Sequence, residues 1–292
     1  MKAKTFAWLL LTVLTAACSP EKEESLTVLS YNIRMGVADD GENSWQYRCP
    51  ATKAMIEDQQ PDVFGVQEAY DFQLAYIEEN CPGYKSIGVG REDGISEGEH
   101  MSIFYRTDAI DVLEWGTYWL SETPDVPSMG WDAACFRTAT WALMQCRESG
   151  RSFYFVNTHL DHVGADARKN GLALIVQRIA AMNPEGWPMI LTGDFNVRAD
   201  DPSLADLDQI MSSARRSAAV TDTVASFNAY RKPIETAALG NHLKDDKTEQ
   251  NAIDYIYYTG FSACPVFETV TQSYAGVPFI SDHYPVKARL VF

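Results

Sequence analysis

Six short clusters of carboxylates, amides and imidazoles punctuate this sequence, each at the end of an apolar run or close to one. They are Ser30-Tyr31-Asn32-Ile33-Arg34, Gln67-Glu68, Asn157-Thr158-His159-Leu160-Asp161-His162, Gly193-Asp194-Phe195-Asn196, Ile253-Asp254-Tyr255 and Ser281-Asp282-His283. Taken singly, an Asp or Asn after a strand is an ordinary turn former or helix cap. Glu68 could simply open a helix, where the dipole favours a carboxylate. Together, the six offer hard oxygen ligands for a divalent cation, a carboxylate to activate water and imidazoles to move protons. That is the set required for metal-assisted attack on a phosphate ester.

For these clusters to converge, the strands that carry them must end on one edge, where α/β enzymes place their working groups. Apolar, β-branched runs predict strands over residues 26–33, 62–67, 101–105, 110–118, 138–146, 153–159, 188–192, 251–258, 264–272 and 286–291. Helical spacing predicts helices over 51–59, 71–79, 165–181 and 203–210, the third with Leu172, Ile175, Val176 and Ile179 on one stripe. Strands outnumber helices more than twofold in that reading, which argues for two packed sheets with helices outside. No linker or repeat appears after Leu26, so residues 26–292 read as one domain.

The content and order of the clusters resemble the endonuclease/exonuclease/phosphatase superfamily, which includes deoxyribonuclease I, apurinic endonucleases, neutral sphingomyelinases, inositol polyphosphate 5-phosphatases and deadenylase-type phosphatases. Gly193-Asp194-Phe195-Asn196 and Ser281-Asp282-His283, with Asn32 and Gln67-Glu68 in place, carry a resemblance that runs from Asn32 to His283. It implies a four-layer α/β sandwich, two mixed sheets flanked by helices. It also implies Glu68 as principal metal ligand, with Asn32 beside it and Asp282 completing the site, and oxygen donors of this kind select Mg2+ or Mn2+ over zinc. By the same resemblance Asp194 orients or deprotonates the attacking water, and Asn196 holds that water or a phosphate oxygen. His283, positioned by Asp254, stabilises developing charge or shuttles a proton, and His159 contacts phosphate or acts as general acid.

Other residues are less distinctive. Arg137 suits bidentate phosphate binding or a surface ion pair, and His162, three residues past His159, suits the same pocket wall. Glu99-His100, just before the 101–105 strand, could line the pocket but reads more readily as a solvated loop, and Arg168 reads as an exposed helix residue. Trp45, Trp119, Trp131 and Tyr118 are candidates for a ligand surface or for core packing. Arg198, just past the Asp194 motif, resembles an inositol phosphatase feature, but its flanks differ. The Asn157–His162 cluster is closer to the deadenylase and phosphatase branch.

Composition narrows the substrate. The chain is 46% hydrophobic and 12% aromatic, which excludes a disordered protein. Its 24 Lys+Arg against 40 Asp+Glu give a net charge of −16, and its basic spots, Arg215-Arg216 and Arg231-Lys232, are short. That is a poor footprint for a polyanion, so a small, sugar-linked or lipid-linked phosphate ester is expected ahead of nucleic acid. An extracellular nuclease is the alternative. A non-catalytic binding protein on the same fold is a further one, disfavoured because Glu68, Asp194, Asp254, Asp282 and His283 are all present.

Lys2 and Lys4, an apolar run and Thr15-Ala16-Ala17-Cys18 form the layout of a secretory signal over residues 1–17, with lipidation expected at Cys18. Residues 18–25 read as a charged tether to the membrane. The expected product is an exported, membrane-anchored monomeric lipoprotein, at the outer membrane with a periplasmic or surface face. Five cysteines remain, without metal-binding spacing, and Cys49 with Cys81 is the expected pair if one forms.

Overall fold

The first strand, β1 (Ser25–Asn32), is buried along nearly its whole length, as expected of a strand at the centre of a sheet covered on both faces. A computed structural model describes residues 23–231 and 252–292. The expected signal over residues 1–17 and Cys18 lie outside them, as does most of the expected 18–25 tether.

β1 leads through α1 (Trp45–Gln59) into β2 (Val63–Gln67), which pairs with it in parallel. α2 (Asp71–Asn80), β3 (Tyr84–Ile87) and β4 (Ile103–Arg106) follow. β5 (Ile110–Trp119), β6 (Thr138–Cys146) and β7 (Ser152–His159) form a meander, and α3 (Ala165–Met182) crosses from β7 to its parallel neighbour β8 (Met189–Asp194). Next come α4 (Leu207–Ile210), β9 (Ser212–Ser213), α5 (Ala214–Ser217), β10 (Asp254–Thr259), β11 (Ala263–Thr269) and β12 (Val286–Val291). One six-stranded sheet runs β11-β12-β1-β2-β4-β3 and the other β5-β6-β7-β8-β10-β9.

Each sheet therefore has a parallel pair at its centre, β1/β2 or β7/β8, with antiparallel strands on either side. A parallel pair needs a crossover, and α1 and α3 supply the two. Three apolar clusters fill the layers. One, with Val28, Phe155 and Ala288, lies between the sheets, and the others, with Met55 and Phe64 and with Ile175 and Leu191, join each sheet to its helices. This is the four-layer sandwich expected above.

Towards one end the inter-sheet layer turns polar. Gln67 Nε2 donates to Asn157 Oδ1 at 2.7 Å, Thr192 Oγ1 donates to the same oxygen at 3.0 Å, and Asn157 Nδ2 donates to the Val66 and Ser102 carbonyls. Gly65 makes room for this network, since a Cβ there would sit 2.3 Å from Asn157 Oδ1.

The sequence reading needs four corrections. The predicted 203–210 helix is a 3-10 turn, Pro202–Leu204, capped by Asp201, followed by the separate one-turn α4. The edge strands β3 and β9 fall outside all the predicted strands. α1 begins six residues earlier than expected, running through Pro50. Pro50 has no N–H for the Gln46 carbonyl, and the Cys49 thiol donates to that oxygen instead at 3.7 Å. Lastly, the Cys49–Cys81 pair is not formed: Cys49, Cys81, Cys135, Cys146 and Cys264 are all free thiols.

Candidate active site

The topology brings the six clusters together. β1, β2, β7 and β8 end at Asn32, Gln67, His159 and Asp194, and the parallel registers place Asn32 beside Gln67 and His159 beside Asp194. β10 runs the other way and starts at this edge, so Asp254 pairs with Asp194. The Asp282-His283 loop reaches it just before β12, whose first residue Val286 pairs with Ser30. Arg34, Glu68 and Asn196 have φ of 60°, 62° and 52°. Such left-handed backbone on a non-glycine residue costs on the order of 1–3 kcal/mol, and all three instances turn the chain at a strand end beside the site.

Asp194 is the hub. Its Oδ2 accepts from Asn32 Nδ2 at 3.0 Å and lies 3.4 Å from His159 Nε2 and 3.7 Å from His283 Nε2. Asn196 N donates to its Oδ1 at 3.0 Å. Asn32 Nδ2 also donates to Glu68 Oε1 at 2.9 Å, while Met35 N donates to Glu68 Oε2. Asn32 thus presents its amide nitrogen, not the oxygen expected of a metal ligand, to both carboxylates; its Oδ1 receives Arg34 N. Arg34, clamped by Asp40 at 3.0 and 3.1 Å, lies 3.9 Å from Glu68 and 3.8 Å from Asp282 and spans the two.

The two histidines are driven in opposite directions. His283 Nδ1 is 2.8 Å from Asp254 Oδ2, the pairing expected from the sequence. Burial alone would lower the His283 pKa, but Asp254 and Asp194 raise it to about 10. His159 is held well below 6.5 by burial and by Arg137 and Arg91. His159 Nε2 lies 3.0 Å from Asn196 Nδ2 and 3.4 Å from Asp194 Oδ2, while its Nδ1 is buried without a hydrogen-bond partner. Burial lifts Asp194 to about 7, against the pull of His283. Burial also acts upward on Glu68, yet Arg34 and Asn32 bring it below its ordinary value. Burial raises Asp282.

A basic wall adjoins His159. Arg137 is buried, with Nε 3.3 Å from Asp161 Oδ2 and Nη2 2.9 Å from His162 Nδ1, so it is not a surface ion pair. Its Nη1 is buried without a partner. Glu99 and His100 are buried rather than solvated. Glu99 Oε2 lies 2.6 Å from Arg91 Nη1, and burial with Glu68 nearby pushes Glu99 to about 7. His100 N bonds to the Ala69 carbonyl, which fastens this hairpin next to Glu68. Arg168 is buried too, donating to the Asp161 carbonyl at 2.9 Å. Trp45, Trp119 and Tyr118 are core residues, while Trp131 is half-buried.

Sequence reasoning missed Arg34, Arg48 and Arg91. Only Arg34 had a local signal, two residues after Asn32; the other two acquire meaning only in three dimensions. A cavity of about 390 Å³, lined by Ile56, Cys81, Tyr84 and Arg106 among others, holds none of the groups described here.

The donor set suits a hard divalent cation. Ligand atoms of Glu68, His159 and Asp194 lie within 4.8 Å of one another, as do those of Asp194, Asp254 and His283. Glu68 is favoured as an ionised oxygen donor, and four carboxylates face Arg34 and His283, a surplus of negative charge.

A family model described as Endonuclease/Exonuclease/phosphatase family matches residues 29–283. The chain belongs to this family. An endonuclease/exonuclease/phosphatase family protein of Bacteroides thetaiotaomicron is similar at 34% identity and a TM-score of 0.84, covering 93% of this chain and 99% of that one. A mannosyl-6-phosphatase of the same organism is similar at 35% identity and a TM-score of 0.83, over 91% of this chain and 100% of that one. An uncharacterized protein of Acanthamoeba polyphaga mimivirus is 25% identical over 83% of this chain and 90% of its own length. These family relations support a hydrolase.

Proposed function

We propose that this endonuclease/exonuclease/phosphatase family member is a metal-dependent phosphoesterase that hydrolyses a phosphate mono- or diester by in-line attack of water. The observation that carries this reading is the convergence of His159 Nε2 and His283 Nε2 on Asp194 Oδ2, at 3.4 and 3.7 Å, with Asp254 on the other nitrogen of His283, and their surroundings drive the two imidazoles in opposite directions. Groups whose environments push their pKa values apart mark acid and base assignments.

Glu68 and Asp282 would hold Mg2+ or Mn2+, and Asn32, whose amide nitrogen faces Glu68 and Asp194, would join them with its amide turned to present oxygen. When bound, the cation polarises a phosphate oxygen and stabilises the charge of the transition state. Asp194, lifted to about 7, orients the water and takes its proton. His283 directs its Nε2 proton at the phosphate while Asp254 fixes the other nitrogen. His159 and Asn196 contact the phosphate or the leaving oxygen, and Arg137 with His162 binds substrate anion from the basic wall.

A sugar-linked or other small phosphate is the favoured substrate. The mannosyl-6-phosphatase relative supports it, and so does a net charge of −16, which repels a polyanion. The signal-like residues 1–17 and Cys18 support export and a lipid anchor for a monomeric enzyme. The test is turnover of a panel of sugar phosphates, inositol phosphates, sphingomyelin, RNA and DNA with Mg2+ or EDTA. Sugar or other small phosphates should be hydrolysed fastest, and only with metal. Faster cleavage of DNA or RNA at moderate salt would make it a nuclease, and equal turnover in EDTA would end the metal reading.

A further inference from the structure

Arg48 on α1 is fully buried, yet it pairs with no carboxylate among the described residues. Its donors go to main-chain carbonyls: Nε to Asn43 at 2.5 Å, and Nη1 to both Ile33 at 2.9 Å and Ile280 at 2.6 Å. Nη2 reaches the Arg34 carbonyl at 3.5 Å, and the Trp45 ring centroid lies 5.5 Å from the guanidinium carbon. Ile33 directly follows Asn32, and Ile280 stands two residues before Asp282. The β1/β12 ladder ends at Ser30 and Val286, so strand pairing stops short of both site residues. From there the two segments are tied by Nη1 of Arg48, by Ser281 Oγ donating to the Asn32 carbonyl at 2.7 Å, and by Tyr31 Oη donating to the Ile280 carbonyl at 3.1 Å.

Burying a cation without a paired anion costs several kcal/mol, and a methionine would fill the same space more cheaply. Stability alone is therefore a poor reason for an arginine here. The planar fork holds carbonyls of several segments in fixed directions, whereas the flexible lysine ammonium holds them less rigidly and methionine has no donor. Its positive charge also lies close enough to Asp282 to act on that carboxylate.

We propose that Arg48 is a positioning residue, a strap that holds the Asn32 and Asp282 chain ends at the spacing a divalent cation requires. This rests on the metal-dependent reading above. The test compares wild type, Arg48→Lys, Arg48→Met and a core control, Ile179→Ala, by Mn2+ calorimetry and by hydrogen exchange of the metal-free proteins. Loss of an outer-shell partner typically weakens metal affinity by roughly 10–100-fold, and that fall is expected for both Arg48 variants but not for the control. Exchange should quicken in residues 30–36 and 278–284 and not elsewhere. Unchanged Mn2+ affinity in a destabilised Arg48 variant, or exchange rising uniformly over the chain, would overturn the proposal. If Arg48→Met does not fold, Arg48→Lys carries both readouts. If wild type binds no Mn2+, the metal reading fails and the location of the exchange change decides the strap.

Discussion

Replacing Asp254 with asparagine removes one charge and keeps the shape of the buried pair. The Asp254 Oδ2 contact with His283 Nδ1 is 2.8 Å, and Asp254 heads the influences that lift His283 from its ordinary 6.5 to about 10. Without it, burial draws the imidazole back towards neutrality, with only Asp194 and Asp282 opposing. The variant ring therefore gives up its proton at lower pH than the wild-type ring. A positioned acid or base contributes about 10²–10⁴-fold, so kcat/KM at pH 8.5 should fall by at least about 100-fold. The assay is kcat/KM for a sugar phosphate from pH 5.5 to 10 with saturating Mg2+, in which the variant's alkaline limb should move to lower pH. Stability should follow the same proton. A proton bound more tightly in the folded state stabilises fully below pH 6.5, and that stabilisation is lost as pH rises through about 10. The gap in melting temperature between wild type and variant should therefore narrow over that interval. An unmoved alkaline limb with kcat/KM within tenfold of wild type would refute the assignment of His283 as the proton-bearing group.

Three further outcomes are expected. Arg137→Ala should raise KM more than it lowers kcat in steady-state assays, as follows from the proposed binding of ground-state phosphate; an equal fall in kcat and kcat/KM would reject that role. Gly65→Ala should lower stability in denaturant melts by about 1–3 kcal/mol, since the new Cβ meets Asn157 Oδ1 at 2.3 Å and Thr192 Oγ1 at 2.4 Å and both atoms are already hydrogen-bonded. Arg168→Ala should cost about 1–3 kcal/mol by the same measurement, because the buried Asp161 carbonyl loses its donor and the space of the side chain is left unfilled.

The parts of this molecule that could be read from the sequence are those with local causes. β-Branched runs gave ten of the strands because central strands are buried on both faces, and the polar residues closing them marked the working edge. The His283–Asp254 pair was readable only through the family resemblance, since 29 residues separate its members. Where the cause is tertiary the sequence was silent or misleading. Glu99 and Arg168 have the composition of solvated residues and are buried because Arg91 and the Asp161 carbonyl receive them. Arg48 sits in a helix with no carboxylate contact among the described residues, and its partners are carbonyls as far away as Ile280. The start of α1 was hidden by Pro50, whose lost hydrogen bond is taken over by the Cys49 thiol. Asn32 was identified as a site residue, but which end of its amide faces the carboxylates depends on Glu68 and Asp194 together.

The central claim is that Asp194 and His283 carry out hydrolysis of a phosphate ester. Its most direct test is phosphate release from a sugar phosphate with Mg2+ by wild type, Asp194→Ala and His283→Ala, each confirmed to be folded. Each substitution should reduce kcat by at least about 100-fold, and turnover near the wild-type rate in both variants would contradict the account.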